Sequence, residues 1–566
     1  MAKKKNENTL QYLQMPLPSG RKYSKMTKVN FGGLNKRYTI DSGDLTMESN
    51  ISTKEYPYLT PSERHGVVVS GKYTNPISMH AFDNFFIIVY RQNGAIKLDY
   101  HTEDGAIYTG IIKESGATSK DDVPRSIVQF NVYDTPTDPL TGKFVKKLLI
   151  FPDKKSMDFD ITENDFEIKD MSVLIKTYTN DTAPYLPPDT ASHNYYYRNL
   201  STKAKEADTL YGSAIYKWVD DESDKENSGW KISIPPTMPS LKYATVHLSR
   251  VFGVDDDRVY ASGYNDYTNW NLDTVDEYNE ANSWCSPSQS NTKAGGSFTG
   301  ITTFQNHVIC FKRDFMHEIY NTKNPFRLQD IYAEGCIDNR TIQDVDGKLI
   351  FVSEDDVKVY TGSNPRIIGY NLNMPQYEYA VSGTDNRNYY LYCEHTDDDE
   401  NVYRHLYVYD TFTDLWSEQT VYDRVISFAH NKNGMYMLCV ETNKQGVVVD
   451  GVVYKMDSDN YQQDWSFETD LITNKTVNIK HIKKLQMLVD VDELADFKVY
   501  ILYDDEKFDP NTSHLVYTSN KAGQFPIRVK PRKTANYGFK LHFEGYGYVK
   551  LYELEIFVEA GGDLYV

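Results

Sequence analysis

Residues Ile301–Tyr320 read ITTFQNHVICFKRDFMHEIY, and residues Thr341–Tyr360 read TIQDVDGKLIFVSEDDVKVY. Both stretches contain a polar turn, an apolar triplet or quartet, a charged turn and a final strand that closes on a tyrosine. Their apolar runs have the two-residue alternation of β-strands rather than a helical period. The second stretch begins about 40 residues after the first, a spacing within the range of β-propeller blades.

Two further units of the same kind follow, at Asn388–Trp416 and Val425–Met456. One such unit cannot bury both of its faces, so we expect small sheets stacked around an axis, which leaves few exposed edges. The sequence therefore predicts an all-β fold with a β-propeller of about six or seven blades over residues 66–464. A generic array of antiparallel sandwich sheets would give similar apolar runs and stays open as an alternative.

Earlier hairpins extend this pattern towards the N-terminus. The run FFIIVY (Phe85–Tyr90) leads to Asn93-Gly94 and then to a second apolar strand. Asn-Gly between alternating apolar runs is a strong hairpin signal. A second pair of strands is expected at Ile127–Tyr133 and Lys146–Phe151.

The sequence pattern changes after Trp465, where the repeat stops and a more regular alternation of apolar and polar residues begins. This predicts a separate small β-sandwich over residues 465–566, and residues 1–65 are expected to form an extended segment. In the last strand the apolar positions switch face near Tyr552-Glu553, which predicts a β-bulge. Two strand faces are expected to be apolar, Phe497, Val499, Ile501 and Tyr503 on one strand and Phe539, Leu541 and Phe543 on another, with Lys540, His542 and Glu544 on the opposite, solvated side.

An insertion at residues 264–297 interrupts the repeat and holds a helical candidate, Leu272–Asn282. Long insertions between blades often make contacts. We therefore expect subunit or partner contacts here, made by four aromatic residues: Tyr264, Tyr267, Trp270 and Trp284.

The chain of 566 residues carries a net charge of -19. This opposes general affinity for nucleic acid, because phosphate binding needs clustered cations, whereas an acidic wall would let DNA slide past without adhering. Simple solubility is the plainer explanation of the charge. The longest strongly apolar run, Phe85–Tyr90, is far short of the roughly 20 residues that span a bilayer, so no membrane span is expected. We also expect no secretory signal peptide, and therefore synthesis in a cytoplasm.

Motifs for catalysis are not found in the sequence. There is no GxSxG, HExxH, Walker loop, GxGxxG or sialidase-type SxDxGxTW, so no catalytic, cofactor-binding or metal site is predicted. The acidic runs Asp255–Asp257, Asp397–Glu400 and Asp504–Glu506 are interpreted as solvated hairpin tips rather than calcium loops. Paired carboxylates for glycoside cleavage stay open. Tyr195–Tyr197 and the exposed-looking Tyr264, Tyr267 and Trp270 are candidates for stacking on sugars, although packing between blades explains most of the tyrosines equally well. The five cysteines have no metal-ligand spacing and are expected to be reduced core residues: Cys285, Cys310, Cys336, Cys393 and Cys439.

Three passages resemble a known family. Asn30–Gly66 is similar to the opening of phage tail nozzle proteins, also called tail tubular protein B or packaged-DNA stabilisation proteins. Arg250–Trp270 resembles a later landmark of that family, and Ile301–Tyr320 resembles the blade that follows it. The matching positions of the opening passage are Gly32, Gly33, Asn50, Pro61, Arg64 and Gly66.

The resemblance implies a structural virion protein at the end of a phage tail, with no active-site residues to carry over. Such proteins form a propeller-bearing homo-oligomeric ring, commonly a hexamer, that contacts other phage tail proteins, retains packaged double-stranded DNA and opens to release it. Contact with the host surface is a further implied role. The rival hypothesis is a carbohydrate-binding or carbohydrate-cleaving receptor-recognition tail protein, because propellers host both activities.

Overall fold

The structure is a computed structural model, and it describes most of the chain between residues 23 and 560. The described residues are 23–28, 31–37, 44–134, 143–159, 161–164, 166–171, 174–178, 208–210, 214–219, 229–234, 238–270, 283–288, 296–373, 377–442, 448–473, 479–504, 506–532 and 536–560. The expected helix at Leu272–Asn282 and the tyrosines Tyr195–Tyr197 lie outside them.

The described residues of the N-terminal part form five strands, and among these only one short pair makes a sheet of its own. They are β1 (Tyr23–Lys28), β2 (Leu45–Ser49), β3 (Ile51–Ser52), β4 (Thr60–Pro61) and β5 (Gly66–Tyr73). Only β3 and β4 pair with each other, and the other three strands pair with partners far along the chain.

In the part of the chain that the structure describes, eight four-stranded antiparallel sheets then follow one another, and strands adjacent in sequence are mostly adjacent in the sheet. The first four sheets contain β6 (Pro76–Phe82), β7 (Phe85–Gln92), β8 (Ala95–His101), β9 (Ile107–Lys113); β10 (Ser126–Asp134), β11 (Lys143–Phe151), β12 (Lys155–Asp158), β13 (Lys169–Asp170); β14 (Leu174–Tyr178), β15 (Asp208–Leu210), β16 (Ala214–Val219), β17 (Gly229–Ile234); and β18 (Tyr243–His247), β19 (Arg250–Val254), β20 (Val259–Ala261), β21 (Trp284–Cys285). The third of these has the order β14-β17-β16-β15.

The other four sheets contain β22 (Phe298–Phe304), β23 (His307–Lys312), β24 (Met316–Tyr320), β25 (Arg327–Tyr332); β26 (Gln343–Val345), β27 (Lys348–Val352), β28 (Val357–Tyr360), β29 (Arg366–Ile367); β30 (Tyr379–Thr384), β31 (Asn388–Thr396), β32 (Val402–Asp410), β33 (Leu415–Gln419); and β34 (Arg424–Asn431), β35 (Gly434–Thr442), β36 (Val448–Lys455). The last sheet has only three strands from this region, and β5 is its fourth. Short 3-10 helices occur at Ser119–Asp122, Asn339–Thr341 and Gly369–Leu372.

The all-β prediction is confirmed, and successive four-stranded antiparallel sheets are consistent with a propeller-like fold. The expected hairpin turn is also confirmed, because Asn93 and Gly94 both have positive φ, at 52° and 75°. This is the backbone of a type I′ turn, whose twist matches that of the flanking strands.

The chain divides into two compact units, residues 1–91, 100–106 and 340–566 in the first and residues 92–99 and 107–339 in the second. Within each unit, hydrogen bonds join the first strands of neighbouring sheets. In the second unit Ser126 Oγ on β10 donates to Ala244 O on β18 at 3.1 Å, so the sheet β14–β17 is an insertion between two sheets that contact each other. In the first unit Tyr379 OH on β30 donates to Val425 O on β34 at 3.0 Å.

The C-terminal part contains two further sheets that share one hydrophobic core. Their strands are β37 (Asp464–Thr469), β38 (Lys480–Val491), β39 (Asp496–Tyr503), β40 (His514–Ser519), β41 (Gly523–Val529), β42 (Phe539–Tyr546) and β43 (Val549–Ala560). The orders are β1-β43-β38-β41 and β2-β37-β42-β39-β40. Strands β1 and β2, from the expected extended segment, therefore complete the C-terminal sheets.

The two expected apolar faces are confirmed, since Phe497, Val499, Phe539 and Leu541 are all buried in this core. The bulge is confirmed as well: Leu488 pairs with Glu553 and Val489 with Leu551, which leaves Tyr552 as the extra residue.

The opposite face of β42 is not solvated throughout, and this corrects the sequence prediction. His542 is buried because the ring of Phe508 stacks on it at 3.6 Å between ring centroids. Lys540, by contrast, is partly exposed and pairs with Glu468 at 2.7 Å. A loop residue far from the strand in sequence thus covers a position that alternation alone assigns to water.

No helix in the part of the chain that the structure describes has the length and apolar character needed to cross a bilayer.

Truncation of the shared C-terminal core is expected to be costly. The Phe543 ring stacks on Phe467 at 4.5 Å and is 2% exposed, so Phe543→Ala should lower the free energy of unfolding by about 3–5 kcal/mol. Phe412→Ala is the control, because Phe412 is 66% exposed and its truncation should cost less than about 1 kcal/mol. Urea unfolding measures both variants, and equal midpoints would contradict the shared core.

Candidate functional site

The described N-terminal residues 31–37 and 44–66, here called the clasp, lie along the outer strand of one four-stranded sheet. Leu34 N donates to Trp416 O at 2.8 Å, and Asn50 N donates to Glu418 O at 2.9 Å. Both acceptors are on β33, which is the edge strand of its sheet. The clasp therefore pairs backbone groups that an edge strand would otherwise leave exposed.

Asn50 is the residue at which the clasp, β33 and the C-terminal sheets meet. Its side-chain Nδ2 donates to Asp464 O at 2.8 Å, where β37 begins, and its Oδ1 accepts from Thr420 N at 2.8 Å. Its φ is 57°, a left-handed conformation that asparagine tolerates better than most residues. One short side chain thus joins the clasp to two segments that lie 370 and 414 residues further along the chain.

Close packing against neighbouring backbone atoms explains why two consecutive glycines, Gly32 and Gly33, lie near the start of the clasp. A Cβ at Gly33 would lie 2.4 Å from Trp416 O, and one at Gly32 would lie within 3.0 Å of the Asp44 backbone. Only residues without a side chain fit at this distance. The glycines and Asn50, which carry the family resemblance, therefore have structural roles at this junction.

Beneath the clasp lies a cluster of titratable groups centred on Glu418. Its carboxylate contacts Lys36 Nζ at 2.7 Å and His405 Nδ1 at 2.7 Å. Burial alone would raise the pKa of Glu418, but the His405 hydrogen bond and the Lys36 charge outweigh burial and place that pKa below its usual value. The charged form of Glu418 is therefore favoured by the fold.

Glu48 lies in the same cluster with the opposite shift. Its carboxyl accepts the backbone N–H of Glu418 at 2.9 Å, and it is 4% exposed. Burial raises the pKa of Glu48 well above its usual value, and the neighbouring Glu418 charge adds to this effect. The neutral form of Glu48 is favoured, so the cluster holds two carboxyl groups with different protonation preferences.

A stack of four rings on β31 and β32 extends from this cluster towards solvent. Tyr403 stacks on His395 at 5.0 Å, His395 on His405 at 5.4 Å, and His405 on Tyr407 at 5.3 Å. Burial lowers the pKa of His395, and the neighbouring His405 lowers it further. The Lys36 ammonium group lies over the Tyr407 ring, 4.8 Å from its centroid. Lys36 is therefore held both by this ring and by its ion pair with Glu418.

A small crevice opens where the connector before β37 meets two turns of the C-terminal sheets. Its volume is about 190 Å³. The rings of Tyr461 and Tyr548 form one wall, 5.0 Å apart and nearly perpendicular. The lining residues are Asp459, Asn460, Tyr461, Gln462, Asp492, Leu494, Gly547 and Tyr548.

The four expected contact residues do not share one environment. Tyr264 is 52% exposed, and its role as a contact stays a prediction. Trp270 is 1% exposed and its Nε1 donates to Tyr267 O at 2.7 Å, which corrects the expectation of an exposed indole. Tyr267 and Trp284 are half-buried, packed against two different cores. The indole of Trp270 is buried because it fills the core around Phe130 and Leu149.

The acidic runs do form hairpin tips, where their carboxylates cap turns. Asp255 accepts the backbone N–H groups of Asp257 and Arg258 at 2.7 Å, and Asp397 accepts that of Asn401 at 2.8 Å. Asp504 does the same for Tyr537 and Gly538, while its neighbour Asp505 lies outside the described residues. All five cysteines are free thiols; four are buried and Cys285 is half-buried.

Neither the clasp nor the crevice was identifiable from the sequence. The clasp has no alternation of its own, and its partners lie more than 300 residues away. The one signal in the sequence was the family resemblance around Asn50, which marked these residues but did not indicate what they contact. The crevice is formed by three separate turns, and no local motif marks it.

Comparison with known proteins identifies no family, because no family model and no curated protein matches the chain. Among solved structures, the acylaminoacyl peptidase of Pyrococcus horikoshii is 8% identical with a TM-score of 0.31, over 71% of this chain and 57% of the peptidase. The Bacteroides ovatus xyloglucan PUL GH43B is 9% identical with a TM-score of 0.21, over 54% of this chain and 95% of that protein. The chain thus spans little more than half the length of the peptidase, and likenesses this weak carry no argument about activity.

Replacement of Asn50 should separate backbone strain from lost hydrogen bonds. Asn50→Ala is expected to lower the free energy of unfolding by about 2–4 kcal/mol, from two hydrogen bonds and a left-handed backbone. Asn50→Gly should cost about 1–3 kcal/mol, because glycine relieves the strain. The control is Asn93→Ala at an exposed turn with φ 52°, where only the strain of about 1–2 kcal/mol applies. Denaturant unfolding gives all three values, and an Asn50→Ala loss no larger than that of Asn93→Ala would refute the junction role.

Removal of the Lys36 charge should destabilise the protein in a pH-dependent way. Because the folded pKa of Glu418 is depressed, its stabilising contribution is present above the unfolded pKa and is lost as pH falls through the folded pKa. Lys36→Met should therefore cost about 1–3 kcal/mol at neutral pH and less below about pH 4.

The matched control for that variant is Lys54→Met, since Lys54 is 67% exposed and its pair with Glu63 should contribute at most about 1 kcal/mol. Urea titrations at several pH values test the difference. A loss in Lys36→Met that does not change with pH would show that its ion pair with Glu418 is not the stabilising contact.

Proposed function

We propose that this chain is a structural, non-enzymatic protein of a bacteriophage tail, a nozzle or tail-tip ring that retains packaged DNA and forms its exit channel. The observation that carries the proposal is the clasp. Residues that resemble the opening of the nozzle family fasten the chain's N-terminal segment to β33 and to the start of β37. Such a fastening suits a component that must keep its shape under load.

The architecture that goes with this proposal is a β-propeller of six or seven blades followed by a small β-sandwich. Repeated four-stranded sheets with contacts between their first strands support the propeller, and the insertion of β14–β17 accounts for one sheet beyond seven. Two sheets with one shared core support the sandwich.

The use of titratable groups supports a structural role over catalysis. The cluster of acid and base side chains beneath the clasp consists of Glu418, Lys36, His405 and Glu48, and its members contact one another. A catalytic pair needs a group directed at a substrate. Here the same chemistry stabilises the clasp.

Charge supports passage of DNA without adhesion. The net charge of -19 repels a polyanion, so a channel lined by this chain would not trap the DNA that it releases. The partners of this proposal are further copies in a homo-oligomeric ring, a hexamer in the family that the chain resembles, and other phage tail proteins. A change of contacts at the host surface would shift the ring towards an open state.

Electron microscopy of the purified chain and of the virions that contain it tests this function. Rings in the purified sample, together with antibody labelling at the tail end of the particles, are the expected result. Particles assembled without the chain should lose their DNA. A chain that stays monomeric and is missing from virions would refute the proposal.

A further inference from the structure

The crevice beside Tyr461 differs from the Glu418 cluster, because several of its polar groups have no partner. The carboxylate of Asp459 and the side-chain amide of Gln462 accept and donate no hydrogen bond within the described residues, and Asp492 uses one carboxylate oxygen, for Glu493 N at 2.7 Å. Asn460 Oδ1 accepts from Gln462 N at 2.9 Å, and its amide nitrogen is free. Two acidic residues and two amide residues thus line the same small space.

The apolar part of the crevice is equally well defined. Leu494 is 69% exposed at its rim, beside the perpendicular rings of Tyr461 and Tyr548. Tyrosine rings and an aliphatic side chain suit a ligand that has one apolar face and a polar perimeter.

The walls are held in place by contacts behind the crevice. Tyr548 OH donates to Glu55 at 2.9 Å, and Tyr461 OH approaches Glu63 at 3.4 Å. Gly547 has a φ of 75°, and a Cβ there would lie 3.0 Å from Ala495. A site that is already ordered loses less entropy when a ligand binds.

Charge and size restrict the ligand. The lining contains two acidic residues and no lysine or arginine, so an anionic ligand is disfavoured. Glu55 and Glu63, behind the crevice, are paired with Lys550 and Lys54. A volume of about 190 Å³ is below the roughly 300–1,000 Å³ of sites for drug-sized molecules. One ring with several hydroxyl groups fits these limits.

We propose that this crevice binds a single neutral sugar residue, such as the terminal pyranose of a surface glycan. The hydroxyl groups donate to Asp459 and Asp492 and accept from the amides of Asn460 and Gln462, while the apolar face of the ring lies against Leu494 and the tyrosines. This goes beyond the ring function, because it gives the chain a direct recognition site for a carbohydrate surface.

Titration of the full chain with neutral monosaccharides, observed by saturation-transfer NMR, tests the site. A single sugar should bind with a Kd on the order of 1 mM, and glucuronic acid should bind at least tenfold more weakly than glucose. Asp459→Ala and Leu494→Ala should each weaken binding at least tenfold. Both side chains are at the surface, so unchanged thermal unfolding will show that the variants fold.

Asp398→Ala is the control, because Asp398 is an exposed carboxylate on the β31–β32 turn, outside the crevice. It should leave sugar binding unchanged. The proposal is overturned if no neutral sugar binds, or if both crevice variants bind sugar as tightly as the unaltered chain. It is also overturned if a cation, calcium or lysine amide, binds in the crevice and sugar does not. None of these results would alter the rings or tail labelling that test the ring function.

Discussion

Pairing of edge strands by distant parts of the same chain is the constraint on which the rest of the structure depends. Each four-stranded sheet has two edges whose N–H and C=O groups need partners. Strand β5 provides the fourth strand of the sheet that contains β34–β36, and the clasp lies along β33. Strands β1 and β2 complete the two C-terminal sheets. The described N-terminal strands are therefore integral parts of the sheets that they complete.

This arrangement has a clear energetic consequence. Contacts between residues 50 and 464 close a loop of about 400 residues, but the entropy of closure grows only with the logarithm of loop length. The penalty can be offset by several hydrogen bonds formed together, and Asn50 forms two with its side chain alone. Such pairings form slowly, because they require distant segments to meet, so the clasp is expected to form late in folding.

Local chemistry made much of the fold predictable. The Asn93-Gly94 turn follows from the positive φ that a type I′ turn needs, and the bulge at Tyr552 follows from a switch of apolar positions. What could not be predicted was set by long-range packing. Trp270 lies in a candidate loop insertion but fills a core, and His542 lies on a polar strand face but is covered by Phe508. Alternation identifies the faces of a strand and does not identify what will cover them.

The candidate site could not be predicted either, because long-range packing forms it. Its two parts, the Glu418 cluster and the crevice beside Tyr461, use polar groups differently. Around Glu418, the His405 hydrogen bond and the Lys36 charge outweigh burial and lower the pKa of Glu418, whereas burial raises the pKa of Glu48. At the crevice, Asp459 lines an open space, and its carboxylate forms no hydrogen bond or ion pair within the described residues. A buried group without a partner would be unstable, but at a surface crevice the same group is hydrated and available to exchange water for a ligand. The carboxyl groups around Glu418 already have hydrogen-bond partners within the protein and are used for stability. The carboxylate of Asp459 has none among the described residues and is therefore available to bind a ligand.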